Sequence, residues 1–226
     1  DLIGVKDRKY IDHTGTHLNR GLADMMRYAA LVSWAEATEF GSHKILGEHD
    51  ELPKTRRSDE ALYAMALYIN SLKPPANPNP FDENARAGEK LFKREGCVGC
   101  HVPPLYTNNK LTLAVAFTPP PNLPRTLDVI PVSVGTDPGL ALSTRKGTGF
   151  YKVPSLKGVW YRGHYLHDGS VASLEEMFDP GRLSETHKPG GFTPPGKPQR
   201  AIPGHEFGLK LSLEERKQLI AFLRTL

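Results

Sequence analysis

Apolar side chains recur at helical spacing in four stretches of the chain. Over residues 18–40 they keep roughly a 3.6-residue spacing, which predicts one helix across the whole range. A second helix is predicted over residues 58–72, because Ser58 is a suitable N-cap and two acidic residues follow it. A third helix is predicted over residues 84–94 and a last one over residues 212–226.

Prolines and glycines punctuate the sequence between these helices. Residues 73–80 contain four prolines, which lack a backbone N–H and restrict the residue before them, so this stretch is predicted to be a stiff linker. Residues 102–148 are predicted to be a long loop region for the same reason. Ser173 and Ser212 are each followed three residues later by glutamate, a spacing that predicts a capping box at the start of a helix.

These patterns predict a mainly α-helical protein. Its parts are a helical N-terminal segment over residues 1–73, a Pro-rich linker over residues 74–81 and a second domain over residues 82–226. Because the chain starts with Asp1 and no leader-like segment follows, we expect it to be processed or only part of a longer protein.

Charge and hydropathy exclude several classes of function. The chain of 226 residues has a formal net charge of +4, and its basic residues alternate with acidic ones, which disfavours nucleic-acid binding. No apolar run approaches the roughly 18 residues of a membrane helix, so no membrane span is expected.

The two cysteines form a single motif, Cys97-Val98-Gly99-Cys100-His101. Two thiols at this spacing followed by histidine are what covalent haem c attachment requires, since the thiols add to the haem vinyl groups and the imidazole ligates the iron. A thioredoxin-like dithiol would need an alternating βαβ context, and a structural zinc site would need a further pair of ligands. Haem c is therefore the expected cofactor, with one haem per chain.

The sixth iron ligand decides what such a haem does. A strong ligand closes the iron for electron transfer, whereas an open position permits activation of peroxide or oxygen. Met177 is the methionine left after those on apolar helix faces are assigned to the core. The histidines that follow the haem motif are His164, His167, His187 and His205. The residues alone do not select among them.

Three segments give the chain a family resemblance. Residues 104–109, 151–159 and 165–176 resemble the C-terminal haem domain of the bacterial di-haem cytochrome c peroxidases and their relatives. The last segment contains the most diagnostic string, His167-Asp168-Gly169-Ser170. Residues 158–164 and 203–208 are most similar to the branch that contains the di-haem rubber oxygenases.

The resemblance implies a fold. Residues 85–96 look like the N-terminal helix of class I cytochromes c, in which a small residue, here Gly88, lets the C-terminal helix cross closely. The implied fold is a class I cytochrome c-like haem domain with long Pro/Gly-rich loops, preceded by a small helical segment. Residues 1–73 resemble the tail of a first cytochrome domain, without a haem motif.

The resemblance also implies site residues. The position of the peroxidase methionine ligand is Gly181 here, and the rubber-oxygenase branch uses a second histidine in the segment that follows this helix. His187 is therefore the first choice for sixth ligand and Met177 the second. His167 matches the family histidine that hydrogen-bonds a haem propionate. A carbonyl of Pro103 or Pro104 is expected to accept the ring N–H of His101.

The implied function is single-electron transfer through one six-coordinate haem c, and no catalytic residue is assigned. The alternative is the electron-relay half of a di-haem peroxidase or oxygenase whose reactive haem lies outside this chain. A weaker alternative is a single open haem that acts as a peroxidase. Either family role implies a redox partner protein, such as another cytochrome or a haem-bearing domain, and a periplasmic or secreted bacterial location.

Overall fold

The computed structural model describes residues 2–33, 39–40, 43–44, 58–124, 127–143 and 147–226. The chain divides into two compact units. The first comprises Asp1–Ile11 and His17–Pro74, and the second comprises Asp12–Thr16 and Pro75–Leu226. Their assignment to a first and a second cytochrome domain stays a prediction.

The first unit is built on two helices. Its elements are a 3₁₀ turn at Val5–Asp7, α1 at Leu22–Ser33, β1 at Glu39–Phe40, β2 at His43–Lys44 and α2 at Asp59–Ser71. Val5, Met25 and Ala66 form its buried core. The predicted N-cap of α2 is confirmed, because the Ser58 side chain accepts a hydrogen bond from the amide of Ala61 at 3.1 Å.

The first predicted helix was too long at both ends. It begins at Leu22 instead of residue 18, directly after Gly21, whose φ of 148° is incompatible with a helix. At the other end, Glu39–Phe40 is a strand that pairs antiparallel with His43–Lys44. Residues 34–38 of the predicted helix lie outside the described residues.

The second unit is organised around α3 at Glu83–Arg94 and α6 at Leu213–Arg224. The close crossing expected at Gly88 is confirmed, because a Cβ atom at this position would collide with the carbonyl of Gln218 and the Cβ of Phe222. The main core lies around this crossing and includes Phe92, Leu219 and Phe222. The predicted range of α3 is correct to within one residue, and α6 ends two residues before the predicted end.

Two strands of a small sheet lie within residues 102–148, which were predicted to be a long loop, and the third follows directly after them. Its strands are β3 at Leu111–Leu113, β4 at Val129–Ser133 and β5 at Phe150–Lys152, and β3 pairs parallel with β4 and antiparallel with β5. A short helix α4 occupies Gly139–Ser143. The prediction was wrong here because the strands are short and their partners are distant in sequence.

The segment before α6 contains short helical turns: α5 at Leu174–Met177 and a 3₁₀ turn at Pro180–Leu183. The capping box predicted at Ser212 is confirmed. The one predicted at Ser173 is only half correct, since its side chain accepts from Glu176 N but the Glu176 carboxylate accepts from the amide of Ala172. Among the helices of the described residues, none has the length and apolar character needed to cross a membrane.

Candidate haem site

The cysteine motif begins where α3 ends. Gly96 takes a left-handed conformation with φ 77°, and Cys97–Gly99 then forms one 3₁₀ turn. The amide of His101 donates to the carbonyl of Cys97 at 2.9 Å, so both thiols and the imidazole belong to one compact turn. Burial raises the pKa of Cys97 to about 11 and also raises that of Cys100. Because a dithiol redox centre needs a thiol of lowered pKa, these raised pKa values disfavour that alternative.

His101 is buried and held by the backbone that follows it. Its Nδ1 lies 3.0 Å from the carbonyl oxygen of Tyr106, which can accept the ring N–H. The expectation that Pro103 or Pro104 supplies this carbonyl was wrong. The Tyr106 ring packs against Phe92 of α3 and Phe222 of α6, with ring centroids 6.0 and 6.2 Å away. The residue that fixes the tautomer of His101 therefore also packs at the crossing of α3 and α6.

The ring of His205 lies beside that of His101 in an edge-type contact. Their centroids are 6.3 Å apart and their planes are inclined by 60°. Burial is the main reason that the pKa of His205 falls to about 4, and the nearby His101 and Arg182 act in the same direction. Burial also lowers the pKa of His101. Both imidazoles are therefore neutral at pH 7, the form that ligates a metal.

The separation of the two rings is that expected for imidazoles that share one metal ion. Two metal–nitrogen bonds of about 2 Å would place the ring centroids about 6 Å apart, close to the 6.3 Å observed. The Nδ1 atom of His205 is buried and has no hydrogen-bond partner among the described residues, so this nitrogen is available to a bound group. With the thiols of Cys97 and Cys100 beside His101, these residues fit a haem c.

The loop that carries His205 has an unusual backbone. Gly204 and His205 both have positive φ, 80° and 46°, and a Cβ on Gly204 would collide with the backbone of Gly135 and Thr136. The amide of His205 donates to the carbonyl of Val134 at 2.5 Å. This turn sets the direction of the imidazole. Sequence reasoning considered His205 but did not choose it, and the adjoining Gly204 was the local signal for such a turn.

The two residues predicted as sixth ligand contact residues other than His101. His187 Nε2 is 2.9 Å from Glu176 Oε1, and Met177 is buried in the main core with Leu174. Among the described imidazole and aromatic rings, His205 is the one that packs against the ring of His101. The roles of His187 and Met177 as ligands stay predictions.

His167 lies in a polar cluster beside the sheet. Its ring stacks on Tyr151 with centroids 4.4 Å apart, and its Nε2 is 3.2 Å from the Tyr151 hydroxyl and 3.8 Å from an Asp137 carboxylate oxygen. Burial lowers the pKa of His167, although the nearby Asp137 and Asp168 act against this. His167 and Asp137 line a small cavity together with Thr136 and Arg200. Its contact with a haem propionate stays a prediction.

Comparison with known proteins finds two curated relatives of similar sequence. No family model matches the chain. Two proteins named cytochrome-c peroxidase IdrP1, from Denitromonas iodatirespirans and Pseudomonas sp. (strain SCT), are 29% and 28% identical over 199 residues. Each match covers 75% of this chain and 50% of the relative, so the chain spans about half the length of the curated relatives it matches.

A solved structure shares the fold. The crystal structure of a MauG-like protein associated with microbial copper homeostasis matches with a TM-score of 0.56 and 18% identity, over 100% of this chain and 71% of that chain. These comparisons show a similarity to proteins named cytochrome-c peroxidase over about half of their length and a fold shared with a MauG-like protein. The rubber-oxygenase branch and the class I cytochrome comparison stay predictions.

Proposed function

We propose that this chain is an electron-transfer domain in which Cys97 and Cys100 would hold one haem c covalently and His101 and His205 would ligate its iron. The close pair of imidazoles, with ring centroids 6.3 Å apart, carries this proposal. Burial lowers the pKa of both rings, and a buried nitrogen of His205 has no hydrogen-bond partner among the described residues. A haem held here would supply one-electron exchange between ferric and ferrous iron.

The protein's own residues favour a closed site. Tyr106 fixes the tautomer of His101 through its carbonyl, and the turn at Gly204 directs His205. Two imidazoles at the iron leave no open position for peroxide or oxygen, so electron transfer is favoured over activation of either oxidant. His187 is the second candidate ligand, but it would first have to leave its contact with Glu176.

A second function is favoured by the length of the relatives. Because the chain spans about half of the matched cytochrome-c peroxidases, it is proposed as the electron-relay half of a di-haem oxidoreductase whose reactive haem lies outside it. In either case we propose a redox partner protein or haem-bearing domain and a periplasmic location, where haem c is attached.

The test is the haem content and reactivity of this chain produced with a haem c maturation system. We expect one haem per chain by intact mass and pyridine haemochrome, a low-spin ferric spectrum and a reversible one-electron titration. Peroxide should oxidise the ferrous protein slowly. A high-spin ferric spectrum with rapid peroxide turnover would overturn electron transfer as the function of this chain. A second haem in the mature full-length protein would favour the relay role.

A further inference from the structure

Arg182 is a fully buried cation in the 3₁₀ turn after α5. Its exposed fraction is 0%, and by volume it is the largest of the fully buried side chains among the described residues. None of the ion pairs found in the described part of the chain involves it. A buried charge without a paired carboxylate is costly, so its hydrogen bonds must compensate for the lost water.

Those hydrogen bonds go to backbone carbonyls. The Nε atom donates to Met177 at 3.0 Å, and Nη1 donates to Ile202. The Nη2 atom donates to Gly204 at 2.8 Å and to His205 at 2.9 Å. Three of the four acceptors therefore belong to residues 202–205. A guanidinium has five N–H donors in a rigid fork, and four of its possible bonds are used here.

Backbone amides of residues 202–205 also donate hydrogen bonds to other parts of the chain. The amide of Ile202 donates to the carbonyl of Arg182 at 2.7 Å, and the amide of His205 donates to Val134. His205 has a φ of 46°, a conformation that non-glycine residues rarely adopt without support from their surroundings. The guanidinium holds the carbonyls on both sides of this φ angle, at Gly204 and at His205 itself.

We propose that Arg182 is a positioning residue that holds the His205 loop in the conformation that presents the imidazole to the iron. This inference rests on the proposed function, in which His205 is an axial ligand. Arg182 acts through the backbone and does not itself touch the cofactor in this account. Its removal should let the loop relax, so the sixth position opens more often to an external ligand.

The experiment compares the haem-loaded chain with Arg182→Met, Arg182→Lys and Arg216→Met. Methionine has a similar length but no donors, and lysine keeps the charge but presents donors from one point. Arg216 is the matched control, because it donates to the carbonyls of Leu211 and Phe178, outside the His205 loop. The measurements are the ferric spin state and the rate of cyanide binding, alongside the unfolding temperature.

For Arg182→Met we expect a growing high-spin fraction and cyanide binding at least tenfold faster. For Arg182→Lys, the high-spin fraction and the rate of cyanide binding should lie between those of Arg182→Met and those of the unsubstituted protein. Arg216→Met should bind cyanide at a rate within twofold of the unsubstituted protein, even if its unfolding temperature falls. If Arg182→Met does not fold, Arg182→Lys carries the test through the same two measurements.

A cyanide rate and spin state unchanged in both Arg182 variants would overturn the inference, as would the same acceleration in Arg216→Met. His205→Ala separates this inference from the proposed function. If His205→Ala remains low-spin, His205 is not the ligand and both fail. If His205→Ala becomes high-spin while the Arg182 variants do not change, only the role of Arg182 fails.

Discussion

His187 and Glu176 form a hydrogen-bonded pair, with His187 Nε2 2.9 Å from Glu176 Oε1. The same carboxylate accepts the amides of Gly190 at 2.8 Å and Ala172 at 2.7 Å. It therefore joins the loop around residues 187–191 to the start of α5. This arrangement gives His187 a structural role that does not require a haem.

Substitution of His187 should affect stability and leave the haem ligands intact. We expect His187→Ala to lower the free energy of unfolding by about 1 kcal/mol, the usual cost of losing one half-buried hydrogen bond. Its ferric spectrum should stay low-spin. Thermal unfolding and the optical spectrum check both points, with the exposed His164→Ala as the control. A high-spin spectrum in His187→Ala would restore His187 as the ligand.

Glu176 should make stability depend on acid pH. Burial raises its pKa, but the hydrogen bonds from Gly190, Ala172 and His187 outweigh this and hold the pKa below its usual value. A carboxylate of lowered pKa stabilises the fold above its unfolded pKa of about 4.3, and this contribution is lost as pH falls through the folded pKa.

We therefore expect Glu176→Gln to be less stable than the unsubstituted protein near neutral pH, with a difference that shrinks in acid. Unfolding in denaturant at a series of pH values measures it. The neighbouring Glu175→Gln is the control, since Glu175 is exposed and its ion pair with Arg224 lies at the surface. A difference that stays constant from neutral to acid pH would contradict this account of Glu176.

The crossing of α3 and α6 should not tolerate a larger residue at Gly88. A methyl group there would collide with the Gln218 carbonyl, so the helices must separate. We expect Gly88→Ala to destabilise the haem-loaded chain by about 1–3 kcal/mol, the range of an overpacked core. Gly163→Ala is the control, because nothing lies within 4 Å of its new Cβ. Equal unfolding temperatures for the two variants would contradict the close crossing.

Sequence patterns predicted the features that depend on neighbouring residues. The N-cap at Ser58 and the capping box at Ser212 are formed within one helical turn, and both are present. Gly88 was recognisable because a small residue at a fixed distance before the cysteines is part of a family pattern. The cysteine motif is likewise local, so its chemistry could be inferred without a structure.

Features that join distant segments were not predictable in this way. The strand Leu111–Leu113 has three residues, and its sheet exists only because Val129–Ser133 and Phe150–Lys152 return to it. His205 reaches His101 through a turn that Gly135 and Arg182 support from elsewhere in the chain. The residues next to His205 in the sequence do not indicate that Gly135 and Arg182 lie against its turn.

The most direct test of the central claim is the ferric EPR spectrum of His205→Ala beside those of the unsubstituted protein and His187→Ala, all loaded with haem. We expect low-spin signals from the unsubstituted protein and His187→Ala. Removal of the His205 imidazole should open one axial position and give a high-spin signal. A low-spin spectrum in His205→Ala together with a high-spin spectrum in His187→Ala would contradict the account.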